Sequence, residues 1–151
     1  MTHWNITLSE GEEEAFASFL HGQLRAFNNQ VSPFHRESRK PGGVVPLHVI
    51  LNDETGAFLG GITGKTYWTW LEIDCFYLPE ALRKHGLGSQ LLEKAQAAAA
   101  ARGCKSCFLT TYEFQARIFY EKHGFKVVGT LEDYPPGSAY YWMRKDFTPA
   151  P

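Results

Sequence analysis

The feature that most constrains the fold is the order of elements in residues 70–111: an apolar stretch, a glycine-bearing loop, a helical stretch and a second apolar stretch. Residues 70–78 are rich in aromatic and aliphatic side chains and predict a buried central strand. A helix to about Arg102 ends at Gly103, a typical C-cap residue, and residues 106–111 predict the next strand. Because neighbouring parallel strands need a long, usually helical crossover, this unit predicts a parallel strand pair.

The remaining elements predict an otherwise antiparallel sheet in a mixed α/β fold. Ser9 and Glu12 have capping-box spacing and predict a helix that extends to about Asn28. Residues 30–43 contain two prolines and two glycines and predict a loop with a short helix. Two strands that flank a polar turn at residues 52–56 predict a hairpin. Further strands are predicted at residues 46–51, 57–67, 126–131 and 139–145, and a short helix at residues 114–123.

Length and composition favour a soluble cytoplasmic protein that forms one domain over residues 1–151. The formal net charge of -1, from 15 basic and 16 acidic residues, gives no electrostatic basis for nucleic-acid or anionic-membrane binding. No apolar stretch of membrane-spanning length and no secretory signal pattern is visible. The Cys104 and Cys107 pair enters a strand instead of starting a helix, which favours buried, inert thiols, and no metal site is expected.

The loop before the long helix has the form R-x-x-G-x-G, with Arg83 at its start and Gly86 and Gly88 at its end. The first turn of a helix leaves backbone amides unpaired, and such amides bind anions. Glycines allow a pyrophosphate to approach the backbone, and Arg83 and Lys84 add positive charge beside it. An ordinary glycine loop that precedes a helix gives the same pattern. The Walker-loop pattern and the complete dinucleotide fingerprint are both absent.

Two segments together resemble the GNAT superfamily of N-acetyltransferases. The loop, followed by Ser89-Gln90-Leu91-Leu92, is similar to the acetyl-CoA motif of that family. About thirty residues later, Ala116-Arg117-Ile118-Phe119-Tyr120-Glu121-Lys122-His123-Gly124-Phe125 resembles its second motif, A-x-x-F-Y-E-K-x-G-F. The resemblance implies a GNAT-like acyl-CoA N-acyltransferase fold: a twisted, mostly antiparallel sheet flanked by helices, whose parallel strand pair is splayed. Acetyl-CoA would be the cosubstrate, and the resemblance covers about residues 46–145.

The resemblance also assigns the residues that would hold the cofactor. Its pantetheine arm would lie between the two splayed strands and pair with main-chain groups of the first strand. The loop and the helix start would hold the pyrophosphate, and the second motif would approach the thiol end. The cofactor-binding residues expected on this basis are Phe76, Tyr77, Leu78, Arg83, Lys84, His85, Gly86, Leu87, Gly88, Ser89, Gln115 and Phe119.

Acetyl transfer to an amine sets the chemistry that catalytic residues must supply. An ammonium of pKa about 10.4 must lose a proton, which costs about 4–5 kcal/mol at neutral pH. Glu72 and Asp74 alternate on the first strand of the parallel pair and are candidate bases, directly or through water, with Glu113 a weaker candidate. A backbone amide near Tyr77 or Leu78 would stabilise the oxyanion. In the family, the tyrosine that matches Tyr120 is the proposed acid for the leaving thiolate.

The acceptor is predicted to be a small-molecule primary amine that attacks directly in a ternary complex. Two aromatic clusters could line its pocket, by shielding the amine or by cation–π contact, or they could be core or dimer contacts. Two alternatives stay open: a non-catalytic CoA-binding or sensor module, and an acetyltransferase for protein N-termini or lysines. A homodimer is expected from similar proteins. The aromatic clusters comprise Tyr67, Trp68 and Trp70, and Tyr134, Tyr140, Tyr141 and Trp142.

Overall fold

The computed structural model describes residues 3–147, which fall into two units that divide between Lys40 and Pro41. The first unit contains helix α1 (Glu14–Val31) and helix α2 (Pro33–Ser38). Pro33 occupies the first turn of α2, where its missing amide costs nothing, and the Ser32 hydroxyl accepts a hydrogen bond from His35 N at 3.3 Å. Ser32 therefore ends α1 and caps α2.

The predicted capping box at the start of α1 is wrong. The helix begins at Glu14, and its N-cap residue, Glu13, makes no side-chain cap hydrogen bond. The Ser9 hydroxyl instead donates to Glu13 Oε1 at 2.7 Å and accepts from Gly11 N at 3.4 Å. These local bonds occupy Ser9 before the helix starts, because serine hydroxyls bond readily to nearby backbone groups in turns.

The second unit is a mixed sheet with two helices. Its sheet order is β1-β2-β3-β4-β6-β5, in which β3 and β4 are parallel and every other pair is antiparallel. This arrangement confirms the predicted fold class. Its elements are β1 (Val45–Asn52), β2 (Phe58–Tyr67), β3 (Trp70–Tyr77), α3 (Leu87–Ala101), β4 (Ser106–Tyr112), α4 (Arg117–Lys122), β5 (Lys126–Glu132) and β6 (Ala139–Asp146).

Two tight turns fix the register of the first three strands. At the β1–β2 turn, the Asp53 carboxylate accepts hydrogen bonds from Thr55 N at 2.8 Å and Ala57 N at 3.0 Å. The β2–β3 turn consists of Trp68 and Thr69, both with positive φ, as in the type I′ turns that suit hairpin twist. This second turn pairs Lys65 with Glu72 across the hairpin.

Helix α3 packs on the sheet through small and aliphatic side chains. Ala95 and Ala99 are fully buried, which lets the helix approach β1 and β2 closely. Leu92 of α3 and Leu71 of β3 are also fully buried in this core. Each fully buried leucine contributes roughly 1.5–3 kcal/mol, so this layer fixes α3 relative to the strand that precedes it. Between residues 3 and 147, no helix combines the length and apolar character that a membrane crossing requires.

Candidate active site

The parallel strands β3 and β4 separate after a short paired stretch. Their pairing ends where Glu72 lies opposite Phe108, although β3 continues to Tyr77 and β4 to Tyr112. The C-terminal halves of the two strands therefore have inner edges that do not pair with each other. Backbone groups along such edges can bind an extended ligand. The separation agrees with the splayed pair that the family resemblance implies.

A bulge in β3 lies at the start of this gap. Thr63 of β2 pairs with Cys75 and Gly64 pairs with Ile73, so Asp74 is the extra residue. Bulges change the facing of the residues that follow them. Before the bulge, the odd-numbered residues Leu71 and Ile73 point into the core. After it, the even-numbered residues Phe76 and Leu78 pack against the same core.

The two predicted bases contact one lysine. Lys65 Nζ lies 2.9 Å from Asp74 Oδ1 and 3.4 Å from Glu72 Oε2, so the carboxylates share a face despite the bulge. The Tyr67 hydroxyl donates to Glu72 Oε2 at 2.6 Å. The hydrogen bond with Asp74, assisted by both acidic charges, raises the pKa of Lys65. Burial, and then the hydrogen bond to Glu72, raise the pKa of Tyr67, which keeps it a donor.

The loop between β3 and α3 turns back onto the end of β3. Arg83 Nε donates a hydrogen bond to Leu78 O at 2.8 Å, which fixes the loop to the strand end. Lys84 and Gly86 have φ of 64° and 79°, so the chain reverses direction just before α3 starts. Glycine adopts this backbone conformation without the steric cost that other residues incur. Arg83, Lys84 and His85 are all exposed to solvent.

Gly88 makes room for an aromatic ring from the second motif. A Cβ at this position would lie 3.3 Å from Phe119 Cε2 and 3.9 Å from Phe76 Cζ. The rings of Phe76 and Phe119 meet edge to face, with centroids 5.8 Å apart. Gly88 is therefore needed because a side chain there would crowd the packing between α3, α4 and β3. Gly86 is needed because the turn requires a positive φ at its position.

A histidine connects the first turn of α3 to the end of α4. His123 Nδ1 lies 2.7 Å from Phe119 O, and since a carbonyl only accepts, Nδ1 carries the proton. In the neutral ring, Nε2 is then an acceptor, and the Ser89 hydroxyl donates to it at 2.8 Å. This bond orients Ser89, a predicted cofactor-binding residue, towards α4.

Tyr120 lies on α4 and is buried, with 6% of its surface exposed. Its ring contacts Phe76, Phe119 and Phe125, with centroid distances of 6.3, 5.4 and 5.7 Å. Burial, and secondarily the proximity of Cys107, raise the pKa of Tyr120 to about 12. The hydroxyl is therefore protonated at neutral pH and can act as a hydrogen-bond donor.

Gln115 lies in the turn that follows β4. Its Oε1 accepts hydrogen bonds from Tyr112 N at 2.9 Å and from the Thr111 hydroxyl at 3.3 Å. The side chain thus binds the last residues of β4, on the strand that borders the gap. The helix of the second motif begins at Arg117, three residues later than the predicted Phe114, because this turn occupies the residues between them.

The cysteines differ in their exposure. Cys104 and Cys107 are buried and Cys75 is exposed, and all three are free thiols. Burial raises the pKa of the Cys107 thiol to about 12 and also raises that of Cys104, so both are weak nucleophiles. Within residues 3–147, no three His, Cys, Asp or Glu side chains are grouped as they would be to hold a metal ion.

Aromatic side chains cover the sheet face that carries Glu72. The two predicted aromatic clusters meet there: Tyr67, Trp68, Trp70 and Trp142 line one open cleft of about 390 Å³ with Phe108. Tyr141, by contrast, belongs to the core and its hydroxyl accepts from Arg117 Nη1 at 3.1 Å.

The structure thus gathers part of the predicted site and separates another part from it. Phe76, Gly88, Phe119 and Tyr120 pack together, whereas Glu72 lies in the paired part of β3, before the gap opens. Sequence reasoning missed Lys65, whose relation to Glu72 depends on the register of a hairpin whose turn contains no glycine or asparagine. It also missed the role of His123, although that residue lies on the predicted helix face with Phe119.

Comparison with known proteins agrees with this arrangement. Residues 7–125 match the model of the Acetyltransferase (GNAT) family. A blasticidin-S acetyltransferase from Streptomyces morookaense is 32% identical over 130 residues, which are 82% of this chain and 96% of that protein. The chain therefore belongs to the acetyltransferase (GNAT) family and is an N-acetyltransferase.

Solved structures show the same fold. An acetyltransferase from Bacillus cereus superimposes with a TM-score of 0.79 and 26% identity, over 93% of this chain and 98% of that one. An aminoglycoside 6'-N-acetyltransferase complexed with coenzyme A superimposes with a TM-score of 0.59 and 20% identity, over 93% and 98% of the two chains.

Proposed function

We propose that the protein transfers the acetyl group of acetyl-CoA to a primary amine of a small molecule, by direct attack in a ternary complex. The observation that carries this proposal is the gap between β3 and β4, which opens beside the glycine-bearing start of α3. Inner strand edges suit an amide-containing arm, and the free amides of a helix start suit a diphosphate. A single ligand that contains both groups is coenzyme A.

The residues around the gap fit such a ligand. The amides of Leu87, Gly88 and Ser89 belong to the first turn of α3, and Arg83 and Lys84 are exposed beside them. Phe76, Tyr77 and Leu78 lie beyond the last β3–β4 pair, which supports the proposal that their backbone groups pair with the pantetheine amides. Phe119 of α4 and Gln115, which follows β4, would border the ligand on the side of the gap opposite β3. Acetyl-CoA would supply the activated acyl group.

Asp74 is the better candidate for the base that accepts the proton of the amine. It lies at the bulge, past the last paired residues, and 38% of its side-chain surface is exposed. Glu72 has one oxygen shared between Tyr67 and Lys65, which leaves fewer lone pairs for a substrate proton. Lys65 also holds Asp74, so proton transfer through a water at the free carboxylate oxygen fits the geometry.

Tyr120 serves best as a hydrogen-bond donor to the leaving sulfur. With its pKa at about 12, full proton transfer to a thiolate of pKa about 8.5 is uphill by about 5 kcal/mol. A hydrogen bond to a charged partner contributes roughly 1.5–3 kcal/mol without that transfer. The amide of Tyr77 or Leu78 would stabilise charge on the acyl oxygen.

The relatives favour a small amine as the acceptor. The Streptomyces morookaense relative is named for blasticidin S, a small molecule, and this chain covers almost all of that protein. Because the family match extends from residue 7 to residue 125, we also propose that both units belong to one acetyltransferase domain. A homodimer and a cytoplasmic location remain predictions.

The test is amine-dependent release of free thiol from acetyl-CoA, measured with a panel of small amines, N-terminal peptides and lysine peptides. We expect turnover with small amines, an N-acetylated product by mass spectrometry, and calorimetric binding of coenzyme A. Binding without thiol release for any acceptor would indicate a non-catalytic module, and turnover confined to the peptides would indicate a protein acetyltransferase.

A further inference from the structure

Five aromatic side chains form a continuous surface where β4 and β6 meet the β5–β6 loop. Tyr112 contacts Phe114, Tyr134 and Tyr140, with ring centroids 5.1, 6.3 and 4.8 Å apart. Tyr140 contacts Tyr134 at 5.5 Å and Trp142 at 5.0 Å. We refer to these five residues as the aromatic surface.

Three rings of the aromatic surface lie in nearly parallel planes. The planes of Tyr112 and Phe114 differ by 10°, and those of Tyr112 and Tyr134 by 14°. Phe114 and Tyr134 are 67% and 51% exposed, so a large part of each side chain is open to solvent. Exposed apolar patches on soluble proteins commonly mark binding sites, and parallel ring faces favour a flat binding partner.

The border of the aromatic surface is acidic. Glu113 lies between Tyr112 and Phe114 in the chain, Glu132 and Asp133 directly precede Tyr134, and all three acidic residues are exposed. No Lys or Arg occurs in residues 106–116 or 127–143, which supply every ring. The flanking Arg117 and Arg144 are each paired with a carboxylate, Glu121 and Asp146 respectively, at 2.9 Å. Carboxylates and the negative faces of aromatic rings both attract cations.

The aromatic surface begins at the open end of the gap. Tyr112 is the last residue of β4, and its amide is bound by Gln115, a predicted cofactor-binding residue. The last β3–β4 pair is at Phe108, about 13 Å earlier along β4 at the usual rise per residue. The aromatic surface therefore borders the gap on its β4 side, and its Trp142 also lines the cleft on the sheet face that carries Glu72.

We propose that the aromatic surface and its acidic border bind the body of the acceptor, and that this acceptor is a small organic cation with a flat unsaturated group in addition to its reacting amine. Amidinium, guanidinium and protonated heteroaromatic groups share this chemistry, because each is planar and positively charged. Such groups stack on aromatic faces and pair with carboxylates. The inference rests on the proposed function and specifies its substrate class.

Three matched amines test the substrate class: 4-(aminomethyl)benzamidine, benzylamine and 4-(aminomethyl)benzoate. They present the same reacting aminomethyl group on a cationic, a neutral and an anionic ring. We expect kcat/KM to fall in that order, with the amidine at least about tenfold above benzylamine, the ratio that a cation–π contact and a nearby carboxylate can supply. Equal values, or a preference for the benzoate, would overturn the inference.

Substitutions on the aromatic surface test the location. Tyr134→Ala should remove most of the preference for the amidine over benzylamine, and Phe114→Ala gives the same test if the first variant folds poorly. Asp133→Asn combined with Glu132→Gln should reduce the preference without removing ring contacts. Val45→Ala is the control, because Val45 is exposed on β1, at the edge of the sheet opposite β5 and outside the aromatic surface. An unchanged preference in all surface variants would place the acceptor elsewhere.

A binding measurement keeps this inference separate from catalysis. Calorimetry of 4-(aminomethyl)benzamidine with the protein and coenzyme A should show binding that weakens about tenfold in Tyr134→Ala. Absence of binding would overturn the inference even if other amines are acetylated. Binding without thiol release from acetyl-CoA for any amine would leave the aromatic surface supported and overturn the proposed function.

Discussion

The Tyr67 hydroxyl donates a 2.6 Å hydrogen bond to Glu72 Oε2, the same oxygen that lies 3.4 Å from Lys65 Nζ. Glu72 is therefore held by two donors on neighbouring β2. Asp74 is held by one donor, Lys65. The two carboxylates differ in hydrogen bonding and exposure, and on this difference we propose Asp74 as the base and a structural role for Glu72.

Asp74→Asn should reduce kcat/KM at pH 7 by about 100-fold, the lower range for loss of a general base. Raising the pH to about 9.5 should restore much of the loss, because a larger fraction of the amine is then already deprotonated. Glu72→Gln, the matched control, should reduce the rate less than about tenfold with no such rescue. A larger, pH-rescued loss of kcat/KM in Glu72→Gln than in Asp74→Asn would assign the base to Glu72. The measurement is the steady-state kcat/KM of both variants from pH 7 to about 9.5.

Tyr120→Phe should lower kcat by about 10- to 100-fold, because a lost hydrogen bond to the charged sulfur raises the activation free energy by roughly 1.5–3 kcal/mol. Because burial raises the pKa of Tyr120 to about 12, its proton stays bound from pH 7 to pH 10. The ratio of wild-type to variant rates should therefore be constant over that range. A ratio that shrinks above pH 8 would mean that the hydroxyl ionises there and would contradict the proposed donor role.

Gly88→Ala should raise the KM for acetyl-CoA with little change in stability. The added methyl group, 3.3 Å from Phe119, displaces a ring beside the gap, while alanine gains up to about 1 kcal/mol of helix propensity. Gly86→Ala is the contrasting variant: its Cβ meets no close neighbour, but its φ of 79° costs about 1–2 kcal/mol. Denaturant unfolding of both variants would measure the free energy of unfolding, and acetyl-CoA titration would measure the KM. If the two variants changed the free energy of unfolding and the KM equally, the distinct roles of Gly88 and Gly86 would be contradicted.

Cys75→Ser should retain at least about half of the wild-type rate. Direct attack in a ternary complex needs no cysteine, and an acyl-enzyme route would require a thiol at the gap, where Cys75 is exposed. Initial-rate plots with acetyl-CoA and amine both varied should give intersecting lines. Parallel lines, or a loss greater than about 100-fold, would support a covalent cysteine intermediate.

The sequence predicts the architecture well where local signals are strong. The glycine loop, the helix to about Arg102 and the flanking apolar stretches predict the parallel pair, and α3 and β4 lie within a residue or two of the expected bounds. The splay of the strands follows from the resemblance to the family. Local hydrogen bonding overrides the prediction at Ser9, which bonds to Glu13 and does not cap α1.

Side-chain contacts between distant segments were less predictable. The pairing of Lys65 with Glu72 depends on a turn at Trp68 and Thr69, residues that seldom adopt positive φ and so give no turn signal. The bond between Ser89 and His123 joins residues that are 34 positions apart. The aromatic surface likewise forms only when β6 lies beside β4, an arrangement set by tertiary packing.

The parting of β3 and β4 after Glu72 and Phe108 also has a consequence for stability. These two strands lie in the interior of the sheet, and beyond these residues their facing edges do not pair with each other. A ligand that fits there completes the sheet, so its concentration contributes to the free energy of unfolding by mass action. Coenzyme A bound between β3 and β4 would therefore make the protein harder to unfold, and more so as its concentration rises.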